Sequence, residues 1–273
     1  MTIPQANILG ISVSAINLEM AQRALEAWIA RREQHYICVT GVHGVMESQR
    51  DEELQRIHNH AGLVTPDGMP LVWLSRLQGF RHVERVYGPD LMLAVCEGSQ
   101  TRGKRHFFYG GGPGVAEKLA TRLSARFPGL GVVGTYSPPF RELTSEEDRE
   151  IVQRVNSARP DIVWVGISTP KQERWMAEHT QKLKACVLIG VGAAFDFNAG
   201  LKKQAPRWMQ KSGLEWSFRL MMEPGRLWRR YLSNNPRFLW LVLREALREM
   251  PSKTQVQPKR PEPRQRREQR AAR

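Results

Sequence analysis

Short apolar runs alternate with segments of helical periodicity between residues 36 and 200. The runs are rich in β-branched residues and lack polar alternation, which is typical of parallel strands covered on both faces. The pattern therefore predicts an α/β fold with a Rossmann-like, largely parallel sheet and helices on both faces. The predicted strands are 36–40, 62–65, 106–109, 131–135, 161–167 and 185–190, and the predicted helices are 45–60, 89–101, 114–127, 145–158 and 170–183.

The pattern changes after residue 200. Segments 216–230 and 236–250 have helical periodicity and are rich in Trp, Leu and Arg. From residue 251 the chain is Pro, Gln, Lys and Arg with almost no apolar content, which is typical of a disordered tail. We therefore predict an α/β catalytic domain over 1–200, a helical appendage over 201–250 that acts as a lid or meets a membrane, and a disordered basic tail over 251–273.

Net charge separates these parts. The formal net charge is +14, but residues 1–200 carry 22 Lys/Arg against 21 Asp/Glu. Residues 201–250 carry 11 against 4, and residues 251–273 carry 8 against 2. A basic segment joined to a neutral body indicates a polyanionic partner, either an anionic membrane surface or nucleic acid.

The cysteines and the apolar stretches indicate a compartment. Cys38, Cys96 and Cys186 lie in apolar surroundings without C-x-x-C spacing, which favours reduced, buried thiols. No signal-peptide pattern is visible, and no apolar stretch reaches the roughly 18 residues of a spanning helix. We therefore expect a cytoplasmic protein that lies on the inner face of a membrane.

Ligands of parallel α/β sheets bind where strands end and loops lead into helices. Asp67 follows the strand predicted over 62–65, although Pro-Asp-Gly is also common turn chemistry. Gly110, Gly111 and Gly112 follow another strand and open a helix, so their backbone could approach a phosphate or form a tight turn. The dinucleotide fingerprint is poor there because Pro113 interrupts it, which argues against a nucleotide-cofactor oxidoreductase.

Two further strand ends carry polar residues. Lys171 and Gln172 project from the start of a helix, a placement that suits recognition of a polar ligand and is also found on well-capped surface helices. Asp196 follows the last strand, where it is a second candidate site carboxylate, although fixing the loop is the role we favour. The sequence has no Asp-x-Asp pair and no His/Cys ligand pattern, so we predict no metal.

The basic appendage supplies the last candidates. Its residues 219–230 contain a cluster of arginine and tryptophan: Arg219, Arg226, Trp228, Arg229 and Arg230. Guanidinium groups bind phosphate bidentately and tryptophan prefers membrane interfaces, although for any single arginine a solvated helix face is the simpler interpretation.

Together these segments resemble the WecG/TagA/CpsF glycosyltransferase family. The resemblance spans about residues 8–245 with order and spacing preserved. The matching stretches are 84–91, 110–117, 160–175 with its Pro-Lys-Gln-Glu, 190–200, 213–220 and 223–231.

The resemblance implies inverting, metal-independent transfer of a hexose-type sugar from a UDP-sugar to a polyprenyl-diphosphate-linked saccharide, with no cofactor. The family's proposed catalytic aspartate corresponds to Asp67, and a threonine and a glutamine of its site correspond to Thr40 and Gln172. Family arginines thought to close over the site correspond to Arg219, Arg226 and either Arg229 or Arg230. Small cyclic homo-oligomers are compatible with the family.

Two departures leave the donor open. Where family members often carry Asn two positions after the threonine, this chain has Val42 followed by His43, near the expected sugar pocket. Many members also have Arg-Ala-Pro where this chain reads Gln204-Ala205-Pro206. N-acetylmannosamine, its uronic acid and glucose all stay candidates.

The competing functional class is a nucleic-acid-binding protein that uses the basic segment. Because the neutral body lacks a motif that enters a nucleic-acid groove, we expect no nucleic acid partner.

Overall fold

A computed structural model describes residues 3–249 of the chain. Its centre is a six-stranded, all-parallel sheet with strand order β4-β3-β8-β7-β5-β6. The sheet confirms the predicted α/β class. Its strands are β3 (His35–Thr40), β4 (Leu63–Pro66), β5 (Arg105–Gly110), β6 (Gly131–Tyr136), β7 (Ile162–Gly166) and β8 (Val187–Gly190).

Alternate residues of the central strands belong to two separate cores. On β7, Ile162 and Trp164 face one cluster, whereas Val163 and Val165 face the other. Both sets are fully buried because helices cover both faces of the sheet. This double burial is the physical reason that the strands read as continuous apolar runs.

Helices connect the strands and cover the sheet. They are α1 (Leu18–Arg31), α2 (Val42–Ser48), α3 (Glu52–His60), α4 (Met69–Leu77), α5 (Gly88–Ser99), α6 (Val115–Arg126), α7 (Ser145–Ala158), α8 (Lys171–His179) and α9 (Ala194–Asn198). The bounds of α7 match the prediction, because Thr144 and Glu147 form a capping box that fixes its start.

The prediction of a single helix over 45–60 is wrong. Residues 49–51 separate α2 from α3, and the Asp51 side chain accepts a hydrogen bond from the Leu54 N–H to start the second helix. The prediction also missed α1, α4 and an antiparallel hairpin of β1 (Gln5–Ile8) and β2 (Ile11–Ser14). The hairpin packs beside β4, where the Ser14 hydroxyl accepts from the Val64 N–H.

Three helices follow residue 200: α10 (Arg207–Lys211), α11 (Glu215–Met222) and α12 (Pro224–Glu249). The predicted bounds 216–230 and 236–250 are wrong, because the break falls at Glu223 and α12 runs through Pro236. Proline removes the hydrogen bond to the carbonyl of Leu232, and the helix tolerates this loss at an exposed residue.

The remaining expectations fall partly within the described residues. Cys38, Cys96 and Cys186 are buried and unpaired, as predicted. None of the helices within residues 3–249 is both long and apolar enough to cross a membrane. The predicted disordered tail, 251–273, lies outside the described residues, and the division into three parts stays a prediction.

Candidate active site

One large cleft opens at the carboxyl ends of the parallel strands. Its volume is about 1590 Å³, more than the ~300–1000 Å³ of a typical small-ligand pocket. The cleft can therefore hold two substrates together. Residues that follow β3, β4, β5, β7 and β8 line its floor, and helices α11 and α12 line its opposite wall.

Asp67 lies at the centre of the floor, directly after β4. Its backbone N–H donates to the Thr40 carbonyl at 2.9 Å, because β3 and β4 pair in register up to Thr40 and Pro66. The nearest Asp67 carboxylate oxygen would lie 3.9 Å from a Cβ placed on Gly41. The side chain is 30% exposed, and its Oδ1 has no hydrogen-bond partner among the described residues. The side chain lines the cleft, and its buried Oδ1 keeps unused acceptor capacity.

A network from two regions of the chain surrounds this carboxylate. An Arg85 Nη2 lies 3.6 Å from Asp67 Oδ1 and donates to Glu215 of α11 at 2.5 Å, while the Arg85 Nε donates to the Asp67 backbone carbonyl. The Tyr87 hydroxyl donates to the other oxygen of Glu215 at 3.2 Å. Arg85 is therefore shared between a carboxylate of the body and one of the appendage.

Burial raises the pKa of Asp67 to about 6. The cations Arg85 and Arg219 act to lower this pKa, whereas the Glu215 carboxylate acts to raise it. A carboxylate with a pKa near 6 is still mostly ionised at neutral pH and is a stronger base than an ordinary aspartate. Asp67 is therefore suited to accept a proton in the cleft.

The glycine-rich turn after β5 forms a second part of the floor. Gly111 has φ +74°, and a Cβ there would lie 2.7 Å from the Val115 side chain, so only glycine fits this turn. Gly111 and Gly112 line the cleft, whereas Gly110 ends β5. The exposed Phe140 ring lies over Gly112, at 3.7 Å from the position of a Cβ there. The turn thus exposes its backbone to the cleft, beneath the Phe140 ring.

Gln172 lines the cleft at the start of α8, and a hydrogen bond to Glu173 fixes its side-chain amide. Its amide nitrogen donates to Glu173 Oε1 at 3.0 Å, and Thr169 donates to the same oxygen at 2.8 Å. The Gln172 Oε1 is buried without a partner and lies beside Gly192. Glu173 therefore orients the amide so that its oxygen can accept from a ligand hydroxyl or N–H. Lys171, on the same turn, is exposed at the edge of the cleft.

Three arginines of the appendage line the opposite wall: Arg219, Arg226 and Arg230. The pKa of Arg230 is lowered by burial and by the neighbouring Arg226 and Arg219, and its guanidinium makes no ion pair within residues 3–249. The Arg219 Nε is buried without a partner among the same residues. Clustered cations with unused donors form a site for a multiply charged anion.

Arg229, the fourth candidate, does not line the cleft. It is exposed and its guanidinium lies 5.2 Å from the ring centre of Trp228. Successive side chains of a helix are rotated by about 100°, so Arg229 and Arg230 point in different directions and do not both face the cleft. Of the two alternatives that the sequence left open, the structure brings Arg230 to the cleft.

His43 ties the body to the appendage. Its Nδ1 accepts from the Asn234 amide at 3.2 Å, and Asn234 in turn accepts from Arg50 at 2.9 Å. Burial, followed by the charges of Arg230, Arg50 and Arg219, lowers the pKa of His43 to about 4. The ring is therefore neutral at pH 7 and lines the cleft as an uncharged group.

Asp196 belongs to an ion-pair chain at the end of the cleft. Lys202 lies 2.9 Å from Asp196 Oδ2 and 3.4 Å from Glu223 Oε1, and Glu223 pairs with Arg226 at 2.6 Å. This chain connects α9 to the break between α11 and α12. Asp196 thereby helps to place the arginine wall.

One group of three potential metal ligands occurs within residues 3–249: Asp148, Glu178 and His179. Each has a protein partner, because His179 Nε2 lies 2.8 Å from Asp148 and Lys182 lies 2.6 Å from Glu178 and 3.6 Å from Asp148. The group forms an ion-pair network along the cleft wall and is well explained without an ion.

The structure thus brings most of the predicted site residues to one cleft, leaving out Gly110 and Arg229. The sequence patterns alone assigned no role to Arg85, Tyr87 and Glu215, which surround Asp67. Their signal was present in the stretches 84–91 and 213–220, but the contact between Arg85 and Glu215 joins residues 130 positions apart.

The chain is similar to several glycosyltransferases of known name. The chain is 31% identical over 197 residues to an N-acetylglucosaminyldiphosphoundecaprenol N-acetyl-beta-D-mannosaminyltransferase of Bacillus subtilis, covering 72% of this chain and 74% of the relative. An enzyme of the same name from Bacillus spizizenii is 30% identical over 198 residues, with the same coverage. One from Staphylococcus aureus is 28% identical over 184 residues, covering 67% and 70%.

The sequence model of a family of glycosyltransferases matches residues 6–252, which is nearly the whole chain. The match includes the strand ends that form the floor of the cleft and the helices that carry its arginine wall. The chain belongs to the glycosyl transferase WecG/TagA/CpsF family.

Proposed function

We propose that this glycosyltransferase moves a hexose-type sugar from a UDP-sugar to a polyprenyl-diphosphate-linked saccharide, in the synthesis of a cell-surface polysaccharide. The observation that carries the proposal is the opposition, across one cleft, of the Asp67 carboxylate and the arginines of the appendage. The named relatives transfer N-acetylmannosamine to N-acetylglucosaminyl-diphosphoundecaprenol. We propose this donor sugar and acceptor first, with N-acetylmannosaminuronic acid and glucose as alternative sugars.

Asp67 acts as the general base in the proposed reaction. The acceptor hydroxyl attacks the anomeric carbon, its proton passes to the Asp67 carboxylate, and the bond between the anomeric carbon and the UDP oxygen breaks. Attack on the face opposite UDP inverts the configuration. A positioned base of this kind contributes about 10²–10⁴-fold to the rate.

The departing UDP gains negative charge that the protein must stabilise. Arg219, Arg226 and Arg230 offer guanidinium donors on the wall that faces Asp67. These donors support a mechanism without a metal ion or other cofactor. The neutral His43 and the free oxygen of Gln172 are placed to bind hydroxyl groups of the sugars.

We also propose that the appendage rests on the anionic cytoplasmic face of a membrane. One side of α12 exposes Trp240, Leu243 and Leu247, and basic residues such as Arg244 lie beside them. Tryptophan, leucine and arginine on an amphipathic helix favour the membrane interface.

A small cyclic homo-oligomer stays a prediction. The alternative of a nucleic-acid-binding protein finds no support in the family assignment.

The test is UDP release from a panel of UDP-sugars, with and without N-acetylglucosaminyl-diphospho-lipid acceptor, in excess EDTA. We expect release that depends on the acceptor, survives EDTA and is highest with one donor. Asp67→Asn keeps the shape of the side chain but removes its charge, and should lower kcat by about 10²–10⁴-fold.

Three results would contradict parts of the proposal. Loss of activity in EDTA with recovery on adding Mg²⁺ would refute metal independence. If the kcat of Asp67→Asn stays within a factor of ten of wild type, Asp67 is not the general base. A product with retained anomeric configuration by NMR would exclude the single-displacement mechanism.

A further inference from the structure

The cleft does not end at the catalytic carboxylate but continues outward along α4. This helix begins two residues after Asp67, and its cleft-lining residues are all apolar. They fall at helical spacing on one face: Met69, Pro70, Trp73, Leu74 and Leu77. The far end of the face is the most exposed, since Trp73 is 45% and Leu77 is 82% exposed.

The facing wall is α12, and its cleft-lining face changes character along its length. The face begins with Arg226 and Arg230, continues through Asn234 and Asn235, and ends in an apolar stretch. That stretch is Phe238, Leu239 and Val242. At about 1.5 Å per residue, Leu239 lies about 14 Å beyond Arg230 along the helix.

The two apolar faces meet. Phe238 and Leu241 are buried in one cluster with Leu71 of α4, and Leu74 and Val242 pack against that cluster. Above this contact, the exposed side chains of Trp73, Leu77 and Leu239 form a groove that continues the cleft; Leu239 is 68% exposed. A Cβ on Gly213 would lie 2.7 Å from the Trp73 ring, so the loop before α11 closes one end of the groove.

We propose that this groove between α4 and α12 binds the first isoprene units of the acceptor lipid. The proposal rests on the proposed function, since the acceptor must carry a polyprenyl chain. Along α12, cations are followed by apolar side chains, which is the order of the acceptor's diphosphate and hydrocarbon, and the Asp67 carboxylate lies in the same cleft for the saccharide. Exposed apolar surface continuous with an active site is typical of a binding groove.

The groove is separate from the face that we assign to the membrane. Trp240, Leu243 and Leu247 are exposed on α12 but do not line the cleft. A bound polyprenyl chain would leave the membrane for a short distance along the groove, so that its diphosphate reaches the arginines. The groove then contributes to acceptor affinity even when no membrane is present.

The test uses soluble acceptors without membranes or detergent. N-acetylglucosaminyl diphosphates carrying a methyl group, two isoprene units or four isoprene units are compared below their aggregation concentrations. We expect KM to fall with chain length for wild type. Leu77→Gln and Leu239→Gln should each raise KM for the four-unit acceptor by about tenfold, because each loses an apolar contact with the chain, and leave KM for the methyl acceptor unchanged.

Leu232→Gln is the matched control, because Leu232 lies on the same helix, is 66% exposed and does not line the cleft. All three leucines are exposed, so the variants should melt within a few degrees of wild type. A wild-type KM that is independent of chain length overturns the groove while leaving the transferase function intact. Equal effects of Leu232→Gln and Leu239→Gln overturn it too. Absence of transfer to every acceptor refutes the proposed function itself.

Discussion

The body and the appendage of this enzyme are built on different principles. The body, up to residue 200, buries two apolar cores against its sheet and carries almost no net charge. In the appendage, α11 buries none of its residues, and polar contacts such as Arg85 with Glu215 and His43 with Asn234 supplement a small apolar contact. The body thus supplies the stable fold and Asp67, whereas the appendage supplies cations that are held more weakly.

This difference implies that the catalytic site can be taken apart without unfolding the sheet. Packed cores resist local opening, whereas elements with few buried contacts open at low free energy. Release of the appendage would leave Asp67 in place and remove the arginine wall. Each of the following predictions tests whether the body holds Asp67 in a stable fold while the appendage supplies the arginines.

The largest effect is expected from deleting residues 214–273. The truncated chain loses Arg219, Arg226 and Arg230 together, so kcat/KM should fall by more than about 10³-fold, since a single electrostatic donor is worth about 10²–10³-fold. Circular dichroism should still show the α/β body, with a lower melting temperature because Phe238 and Leu241 no longer cover their neighbours. Retained transfer to a soluble acceptor would show that the body alone is sufficient.

A smaller loss is expected from one arginine of the wall. Arg230→Ala should lower kcat by about 10²-fold, because Arg230 lies in the cleft and makes no ion pair with a carboxylate of residues 3–249. Arg229→Ala is the matched control, since it removes the same charge one position earlier on the exposed side of α12. Steady-state kinetics on a soluble acceptor measure kcat for both variants. Equal losses of kcat would mean that the net charge of α12 matters rather than the position of Arg230 in the cleft.

The contrast between these neighbouring arginines shows where sequence reasoning stops. The parallel sheet was predictable because strands such as β7 are apolar at every position. The bounds of α7 were predictable because its capping residues are local. The choice between Arg229 and Arg230 depends on which side of α12 packs against the body, and the continuation of that helix through Pro236 occurs where Leu232 is exposed. Neither is a local property.

The same limit applies to the site. Asp67, Thr40 and Gln172 were located through strand ends and the family resemblance, both of which the sequence displays. The partners of Asp67 were not located, since Arg85 and Glu215 meet only when α11 docks on the body. Likewise, the value of the Asp67 pKa follows from burial in the closed cleft and could not be read from a Pro-Asp-Gly sequence.

The pH dependence of kcat/KM should report this docking. Asp67 must be ionised to act as base, and its raised pKa of about 6 means that activity is lost as pH falls through about 6, with a roughly tenfold loss at pH 5. Glu215→Gln removes an appendage charge that raises this pKa, so the acidic limb should move to lower pH. Glu223→Gln, which alters another appendage carboxylate, should leave the limb in place. A limb that Glu215→Gln does not move would show that the appendage is undocked in solution.

The smallest effect concerns the contact that holds α12 to α2. Burial and nearby arginines lower the pKa of His43 to about 4, so the unfolded chain binds a proton between about pH 6.5 and 4 that the folded chain does not. Stability from this group is therefore present above pH 6.5 and is lost as pH falls toward 4. His43→Gln keeps an acceptor for Asn234 but cannot be protonated. The variant should melt close to wild type at pH 7 and about 4–8 °C above it at pH 5, because a pKa shift from 6.5 to about 4 costs the wild type about 2 kcal/mol there.

The opposite shift of Asp67 does not obscure that comparison, because both proteins carry the same aspartate and its contribution cancels in the difference. Melting followed by tryptophan fluorescence is sensitive to the appendage, since Trp216 and Trp228 lie on its helices. A difference that is the same at both pH values would mean that His43 is solvated and that α12 is not docked on α2. A difference that appears only at pH 5 would show that the appendage is held to the body by a neutral histidine, and that acid weakens the hold before it unfolds the sheet.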